Sequence, residues 1–454
     1  MKVDACIIGG GLSGLSAGMA WKESGATVCV VEAGNRPGGA LRTEHRDGFL
    51  VEAGPNTLLL DDARLLRMIE RLGIASRVVT ASSEARKRYV VRDGQMLAAP
   101  DSLISLIRTP LFSTRGKLRL IQEPFVPRRD DVKDEESLAS MVERRLGPEV
   151  LDQAVQPMVS GVYAGDPRRL SARYAFPSLF DLEKQHGSFL KGALHRLRHP
   201  SPHKIKRRLI SFRDGMETLP KAMAEHLGPS LLTDTRVVEM EKAVGGWCLE
   251  LSNGEKVESR MLISTVPAHR LDSLPWPGDL AVKLTSMGQM VYAPVTVVAL
   301  GFTREAVEHP LDGFGVLIPE GEGVEVLGAL FSSSLFPHRA PEGQVLVTCF
   351  LGGRLHPERA EGIPSELVAR AVKALTPLLG IKGVPVFSHL ESWPRAIPQM
   401  ELGFESFKDV MHEVEERWEG LVIGGNYRSG ISAPQCMRAG IELREKFGHD
   451  DGSG

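Results

Sequence analysis

The sequence predicts an α/β fold whose core is assembled from both ends of the chain. Three observations carry this. Residues 3–9 are a short apolar run, followed by Gly9-Gly10-Gly11-Leu12-Ser13-Gly14 and a helix-spaced stretch. Residues 27–31 are a second apolar run, closed by Glu32. Near the other end, Leu421-Val422-Ile423 leads into Gly424, Gly425 and Gly430, then a last helical stretch to about residue 447.

The elements follow in order. Residues 3–9 are apolar without alternation and rich in β-branched residues, the pattern of a buried parallel strand. Leu15, Met19 and Ala20 fall at helical spacing, and Gly25 stops that helix. With residues 27–31 this makes a βαβ unit. A helix over 61–73 is capped by Asp61 or Asp62, buries Leu65, Met68, Ile69 and Leu72, and ends at Gly73. From about 100 to 200 the pattern is helical. One stripe is Leu138, Met141, Val142 and Leu146; the next is Leu151, Ala154, Val155 and Met158. Residues 195–208 carry six Lys/Arg and two Pro and read as an exposed loop. Residues 237–238, 247–251 and 261–266, with the turn Ser252-Asn253-Gly254, read as a small antiparallel ribbon. Strands are expected at 295–300, 314–318 and 345–350, helices at 364–379 and 403–418.

Bulk composition excludes several classes. The chain has 454 residues, 42% hydrophobic and 25% charged, which is ordinary for a soluble protein. A formal net charge of -2 supplies no global basic field for nucleic acid. The cysteines Cys6, Cys29, Cys248, Cys349 and Cys436 have no CxxC or metal-ligand spacing and read as reduced thiols of a cytoplasmic protein. No signal peptide is expected. No run of 18 apolar residues predicts a transmembrane helix. The 47 glycines are in excess, and they cluster.

The first cluster is Gly9-x-Gly11-x-x-Gly14 between a strand and a helix. The first glycine allows the tight turn. The second lets a pyrophosphate approach the backbone, and the third lets helix and strand pack closely. The helix N-terminus offers free N–H groups and a positive dipole end to the phosphates. Glu32, 18 positions beyond Gly14, stands where a carboxylate holds a ribose hydroxyl. Three features favour FAD over NAD. The fingerprint opens the chain, Arg36-Pro37-Gly38-Gly39 and Arg42-Thr43 follow Glu32 closely, and no second strand–GxGxxG–helix offers a nicotinamide site. Such a flavoprotein takes electrons from an organic substrate and passes them to oxygen or a quinone. The glycines at 424–430 place a second helix N-terminus for the flavin's N1/C2=O edge, where a dipole stabilises the reduced anion.

These motifs, with Glu52-Ala53-Gly54-Pro55-Asn56, resemble the flavin amine oxidase superfamily. A more specific stretch is Gly161-Val162-Tyr163-Ala164-Gly165-Asp166-Pro167, followed by Leu170-Ser171 and Phe176-Pro177-Ser178-Leu179. It resembles the protoporphyrinogen and coproporphyrinogen oxidases, as do Ser392-Trp393-Pro394, Ile397-Pro398-Gln399 and the tail from Gly425 to Cys436. The resemblance implies a Rossmann-like FAD domain of p-hydroxybenzoate-hydroxylase type, a mixed-sheet substrate domain and a helical, membrane-associated domain. Residues 1–80, 210–280 and 400–454 would form the first, 281–399 with part of 81–100 the second, and 81–209 the third.

It further implies FAD contacts at Gly9, Gly10, Gly11, Leu12, Ser13, Gly14, Glu32, Ala33, Gly39, Ala40, Arg42, Gly54, Pro55, Asn56 and Thr57. Others fall on the Val237 backbone, Trp393, Gly425, Ile431, Ser432 and Ala433. Arg88 matches an arginine that pairs with a substrate propionate, and Gly161 a glycine whose carbonyl faces the pyrroles. Two places depart from the pattern: Pro434-Gln435 before Cys436, and Arg428-Ser429 before Gly430.

The implied activity is oxygen-dependent, six-electron oxidation of protoporphyrinogen IX or coproporphyrinogen III to the porphyrin in haem or tetrapyrrole biosynthesis, with peroxide released. The flavin carries the chemistry and no catalytic side chain is named. Apolar wall candidates lie in 295–300, 314–317 and 327–331. The five cations Arg86, Lys87, Arg88, Arg168 and Arg169 are candidates for the pocket mouth. A membrane surface, reached through the basic stretch 195–208, and a neighbouring haem-pathway enzyme are expected partners of a monomer or homodimer. An amine oxidase, a carotenoid desaturase and a non-catalytic FAD module are the alternatives.

Overall fold

A computed structural model describes residues 1–129, 135–199 and 203–447. Two seven-stranded sheets organise it. The first runs Leu231–Leu232, Val28–Val31, Lys2–Ile8, Lys256–Ser264, Gly246–Leu251 and Val237–Ala243, with Leu421–Ile423 also paired to Lys256–Ser264. Its central strands are parallel, as expected for the apolar runs at both ends of the chain. Ile8 lies opposite both Val31 and Ser264, and Ser264 opposite Ile423. The register therefore brings Gly9, Glu32, Thr265 and Gly424 to one edge, where open α/β sheets bind ligands.

One strand differs from expectation. Residues 261–266 were to close a separate ribbon. Instead Lys256–Ser264 is antiparallel to Gly246–Leu251 in its first half and parallel to Lys2–Ile8 along its length. Its first residues alternate exposed and buried, while Met261 to Ser264 are all buried. The same strand leaves a two-faced ribbon and enters a sheet covered on both sides.

The second sheet runs Phe387–Pro398, Tyr292–Thr303, Gln344–Gly352, Val326–Leu330, Gly313–Leu317, Lys87–Arg92 and Gln95–Ala98. Helix Pro364–Leu379 buries Leu367, Ala371, Leu375 and Leu379 with Val298, Leu300, Val347 and Cys349. A separate cluster gathers Ala164, Val295, Val297, Leu327, Phe350, Trp393 and Ile397. Strand alternation thus splits the proposed pocket wall. Val298, Leu300 and Phe331 belong to the core with the helix, and Val295, Val297 and Leu327 to the other cluster.

The middle of the chain is helical, with a correction at its end. Residues 195–208 are not one loop. Helix Phe189–Arg198 runs into the segment, and strand Lys204–Phe212 leaves it, pairing with Leu58–Asp62 and Val78–Thr80. Lys206, Arg207 and Arg208 are exposed, but Ile210 and Phe212 are buried, and the apolar half fixes the strand. Residues 200–202 lie outside the described residues. The stripe from Leu151 begins as a π-helical turn, Leu151–Val155, before helix Gln156–Tyr163. Among the described residues no helix is long and apolar enough to cross a membrane.

Candidate functional site

The glycine loop divides by what surrounds each residue. A Cβ at Gly14 would lie 1.9 Å from the Gly9 carbonyl oxygen. One at Gly9, where φ is +109°, would meet the Thr265 hydroxyl at 2.9 Å. One at Gly11 would find nothing within 4 Å. Gly14 and Gly9 are therefore needed by the fold, and Gly11 faces open space. That open cradle at a helix N-terminus fits a pyrophosphate. Leu12 and Ser13 open the helix Leu12–Glu23 behind it.

Glu32 accepts from Gly10 N–H at 2.6 Å and from Gly34 N–H at 2.7 Å, one bond to each carboxylate oxygen. Each oxygen keeps acceptor capacity for a ribose hydroxyl. Ala33, next to it in the chain, and Gly39 and Ala40, in the loop that follows, are exposed. Val237 follows a segment whose Asp234 and Thr235 N–H groups donate to Gly34 O and Glu32 O. The loop from Arg36 folds over the glycine turn: Gly38 N–H donates to Gly10 O at 2.8 Å, and Arg36 donates to Gly39 O at 2.9 Å.

The second sheet reaches this loop through two contacts. Trp393 Nε1 donates to Ala53 O at 2.8 Å, and Arg42 pairs with Glu391. A Cβ at Gly54 would lie 2.1 Å from Ala40 O, so residues 40 and 54 pack backbone to backbone. Pro55, Asn56 and Thr57 continue from there, half-buried, with Asn56 donating to Gly54 O.

The tail joins the same edge. Helix Ala433–Phe447 lies against helix Leu12–Glu23, with Ser16 Oγ donating to Met437 O at 2.7 Å and Arg444 Nε to Ser24 Oγ at 2.9 Å. The helices run parallel, so both N-termini face the sheet edge. Gly425, where φ is +120°, packs near Thr265 O, and Ile431 and Ser432 precede Ala433 at the second N-terminus. Both departures from the family pattern have structural roles. Gln435 Oε1 accepts from Ser432 N–H at 3.1 Å and Ser432 Oγ at 2.6 Å. Arg428 turns away to Glu415 and the Ile423 carbonyl. Thr265, whose hydroxyl donates to Gly9 O at 3.0 Å, is a contact that sequence reasoning missed. Only the register of strand Lys256–Ser264 beside Lys2–Ile8 reveals it.

Arg88 and Gly161 meet at one strand. Arg88 is exposed, lies across from Gly315 of strand Gly313–Leu317, and stands 5.8 Å from the Phe314 ring. Among the described residues it has no carboxylate partner. Gly161 is in helix Gln156–Tyr163, so close to Leu317 that a Cβ would come within 2.3 Å of that side chain. The helix ends unusually. Ala164 adopts φ +48°, and the Ala164 and Gly165 N–H groups both go to Val159 O. Among the described residues the carbonyls of Ser160, Gly161 and Val162 are left without chain partners, at the negative end of the helix. Of the other candidate cations, Lys87 pairs with Asp312, Arg168 with Glu143 at 3.3 Å and Arg169 with Asp166 at 3.6 Å.

The flavin-containing amine oxidoreductase model matches residues 12–442. The chain belongs to that family. Membership of this flavin-containing family makes FAD the cofactor, and the open Gly11, the Glu32 oxygens and the two helix N-termini are groups that fit it. The chain is 32% identical to the mitochondrial protoporphyrinogen oxidase of Nicotiana tabacum, covering 97% of this chain and 93% of that protein. It is 31% identical to human protoporphyrinogen oxidase, covering 96% of each, and 25% identical to coproporphyrinogen III oxidase of Bacillus subtilis, covering 97% and 96%. Cyclohexylamine oxidase from Brevibacterium oxydans shares the fold, with a TM-score of 0.71 over 98% of this chain and 99% of that one at 17% identity.

Proposed function

We propose that this family member is an FAD- and oxygen-dependent porphyrinogen oxidase of haem or tetrapyrrole biosynthesis. It removes six electrons from the macrocycle and releases peroxide. The observation that carries this reading is the meeting, at strand Gly313–Leu317, of the open Gly161 carbonyl and Arg88, which has no carboxylate partner among the described residues. A porphyrinogen is an apolar macrocycle with pyrrole N–H donors and carboxylate arms. The open carbonyls suit the N–H groups, and a guanidinium suits a carboxylate as a bidentate fork. Val295, Val297, Leu327, Phe350 and Ile397 supply apolar surface for the ring. FAD, when bound, accepts hydride at N5.

In this reading residues 1–80, 210–280 and 400–454 hold the cofactor, 281–399 with part of 81–100 hold the substrate, and 81–209 are the helical part. The charge pattern supports the two-carboxylate substrate, protoporphyrinogen IX, over the four-carboxylate coproporphyrinogen III. Three of the five candidate cations are already neutralised by carboxylates, leaving Arg86 and Arg88. The test is turnover of both porphyrinogens in air by the purified yellow protein, followed by red porphyrin fluorescence. Inertness to both overturns the activity; equal or better turnover of coproporphyrinogen overturns the preference.

The helical part supports a lipid-facing role. Ile104, Ile107, Ile121, Phe125, Leu190 and Leu197 are exposed, Phe125 by 84%, and the exposed cations Arg108, Arg115, Lys191 and Arg198 accompany them. Apolar surface with adjacent cations suits an anionic bilayer. Flotation should be stronger with anionic than with neutral vesicles; equal partitioning, or none, overturns this.

A further inference from the structure

We propose that Gln399 is the positioning residue that aims the open carbonyls of helix Gln156–Tyr163 at the substrate. The proposal rests on the porphyrinogen reading above.

Gln399 is 2% exposed and stands just past strand Phe387–Pro398. Its Nε2 donates to Tyr163 O at 3.0 Å and to Ile397 O at 3.0 Å. Its own N–H donates to Val291 O at 2.8 Å, so the backbone beneath the side chain is held as well. Both amide hydrogens are used on carbonyls. A flipped amide would point oxygen at two oxygens, so the network sets the orientation. The Oε1 is buried without a partner among the described residues and lies against Gly165, where a Cβ would come within 2.8 Å of it.

Tyr163 comes two positions after Gly161 and one before the left-handed Ala164. A non-glycine residue at positive φ costs energy and persists only where its surroundings hold it. Gln399 holds the carbonyl next to it, and Arg354 N–H holds Ala164 O at 2.7 Å. With that turn fixed, Ala164 and Gly165 donate to Val159. They do not close the helix onto Ser160 and Gly161. The carbonyl that faces the substrate is open because the turn after it is pinned.

The same strand carries Trp393, whose indole donates to Ala53 O in the cofactor loop. One strand therefore grips the cofactor loop with Trp393, and the chain just beyond it grips the substrate turn with Gln399. The link sets the distance between flavin and macrocycle, to which hydride transfer is sensitive.

The test uses the flavin-loaded protein and protoporphyrinogen IX. Gln399→Met keeps the volume and removes the donor. KM should rise roughly tenfold, which corresponds to about 1.4 kcal/mol of lost substrate binding. Flavin content and air reoxidation of dithionite-reduced enzyme should stay at native values, while the melting temperature should fall by only a few degrees for the two carbonyls left without a donor. Gly165→Ala pushes the amide from the other side and should raise KM in the same way with Gln399 intact. An unchanged KM in both variants overturns the proposal. So does a KM rise that comes only with loss of flavin, since that is a purely structural role. If Gln399→Met does not fold, Gly165→Ala decides alone. A native protein inert to porphyrinogens would instead sink the reading beneath the proposal.

Discussion

Arg145 Nε donates to Glu123 Oε1 at 2.7 Å, and neither side chain has exposed surface. Arg145 also reaches Glu183 at 2.8 Å and the Gly187 carbonyl at 2.7 Å, while Glu123 accepts from Ser188 and the Phe189 N–H. This network ties helix Leu138–Leu146 to the segment at Glu123, next to the exposed Ile121 and Phe125, and to helix Phe189–Arg198, which exposes Leu190 and Leu197. Breaking a buried pair leaves a bare charge, at a cost of about 3–5 kcal/mol. Arg145→Met should lower the melting temperature strongly, whereas Arg198→Met, at an exposed position, should not. A melt of Arg145→Met that matches the native curve would refute the network's role.

The same carboxylates set an acid limit. Burial alone would raise Glu123 and Glu183. Donation from Ser188, the Phe189 N–H and Arg145 on the first, and from Arg144 and Arg145 on the second, holds both below the usual value. A carboxyl lowered in the folded state adds stability that is complete above its unfolded value. That stability is lost as the pH falls through the folded value. Stability should therefore drop below the ordinary glutamate range of about 4.3. Denaturant midpoints from pH 7 to 3 should show the drop, and Glu123→Gln, less stable at neutral pH, should show a shallower one. Parallel pH curves for the two proteins would contradict it.

Two glycines in one loop should fail in different ways. Gly14→Ala places a methyl 1.9 Å from the Gly9 carbonyl oxygen, so the backbone must move. Gly11→Ala places its methyl in open space, where the pyrophosphate is expected. Gly11→Ala should fold normally and purify with little or no flavin, read as the visible-to-ultraviolet absorbance ratio. Gly14→Ala should lose stability as well as flavin. A fully yellow Gly11→Ala protein would show that the phosphates lie elsewhere.

The legible parts of the chain were those with local punctuation. The helix at 364–379 begins with Pro364 and stops before Gly380 at φ +60°, and its bounds follow from those residues. Strand Leu421–Ile423 is a bare apolar run before a glycine pair. Strand Lys204–Phe212 was hidden because its charged half reads as loop and its partners lie more than a hundred positions upstream. Pairing partners were equally invisible. Lys87 and Arg88 look alike in sequence, yet Asp312, far along the chain, neutralises only Lys87. The Gln399 contact spans 236 positions, and the Ile397-Pro398-Gln399 motif says nothing of its target.

That difference between neighbours frames the last prediction. Arg88 is exposed, with Phe314 beside it and no carboxylate partner among the described residues. Its removal should cost the fold little, within about 0.5 kcal/mol for a surface site. A guanidinium on a carboxylate is worth about 1.5–3 kcal/mol, which corresponds to roughly ten- to hundredfold in KM. Arg88→Met should raise KM for protoporphyrinogen by that factor and leave flavin content unchanged. Arg88→Lys should recover part of the loss, since it keeps the charge and loses the fork. Added salt should raise the native KM and leave the Arg88→Met KM nearly flat. If Arg88→Met keeps the native KM at low salt, the carboxylate arm is held by another cation, and Arg86 is the next to replace.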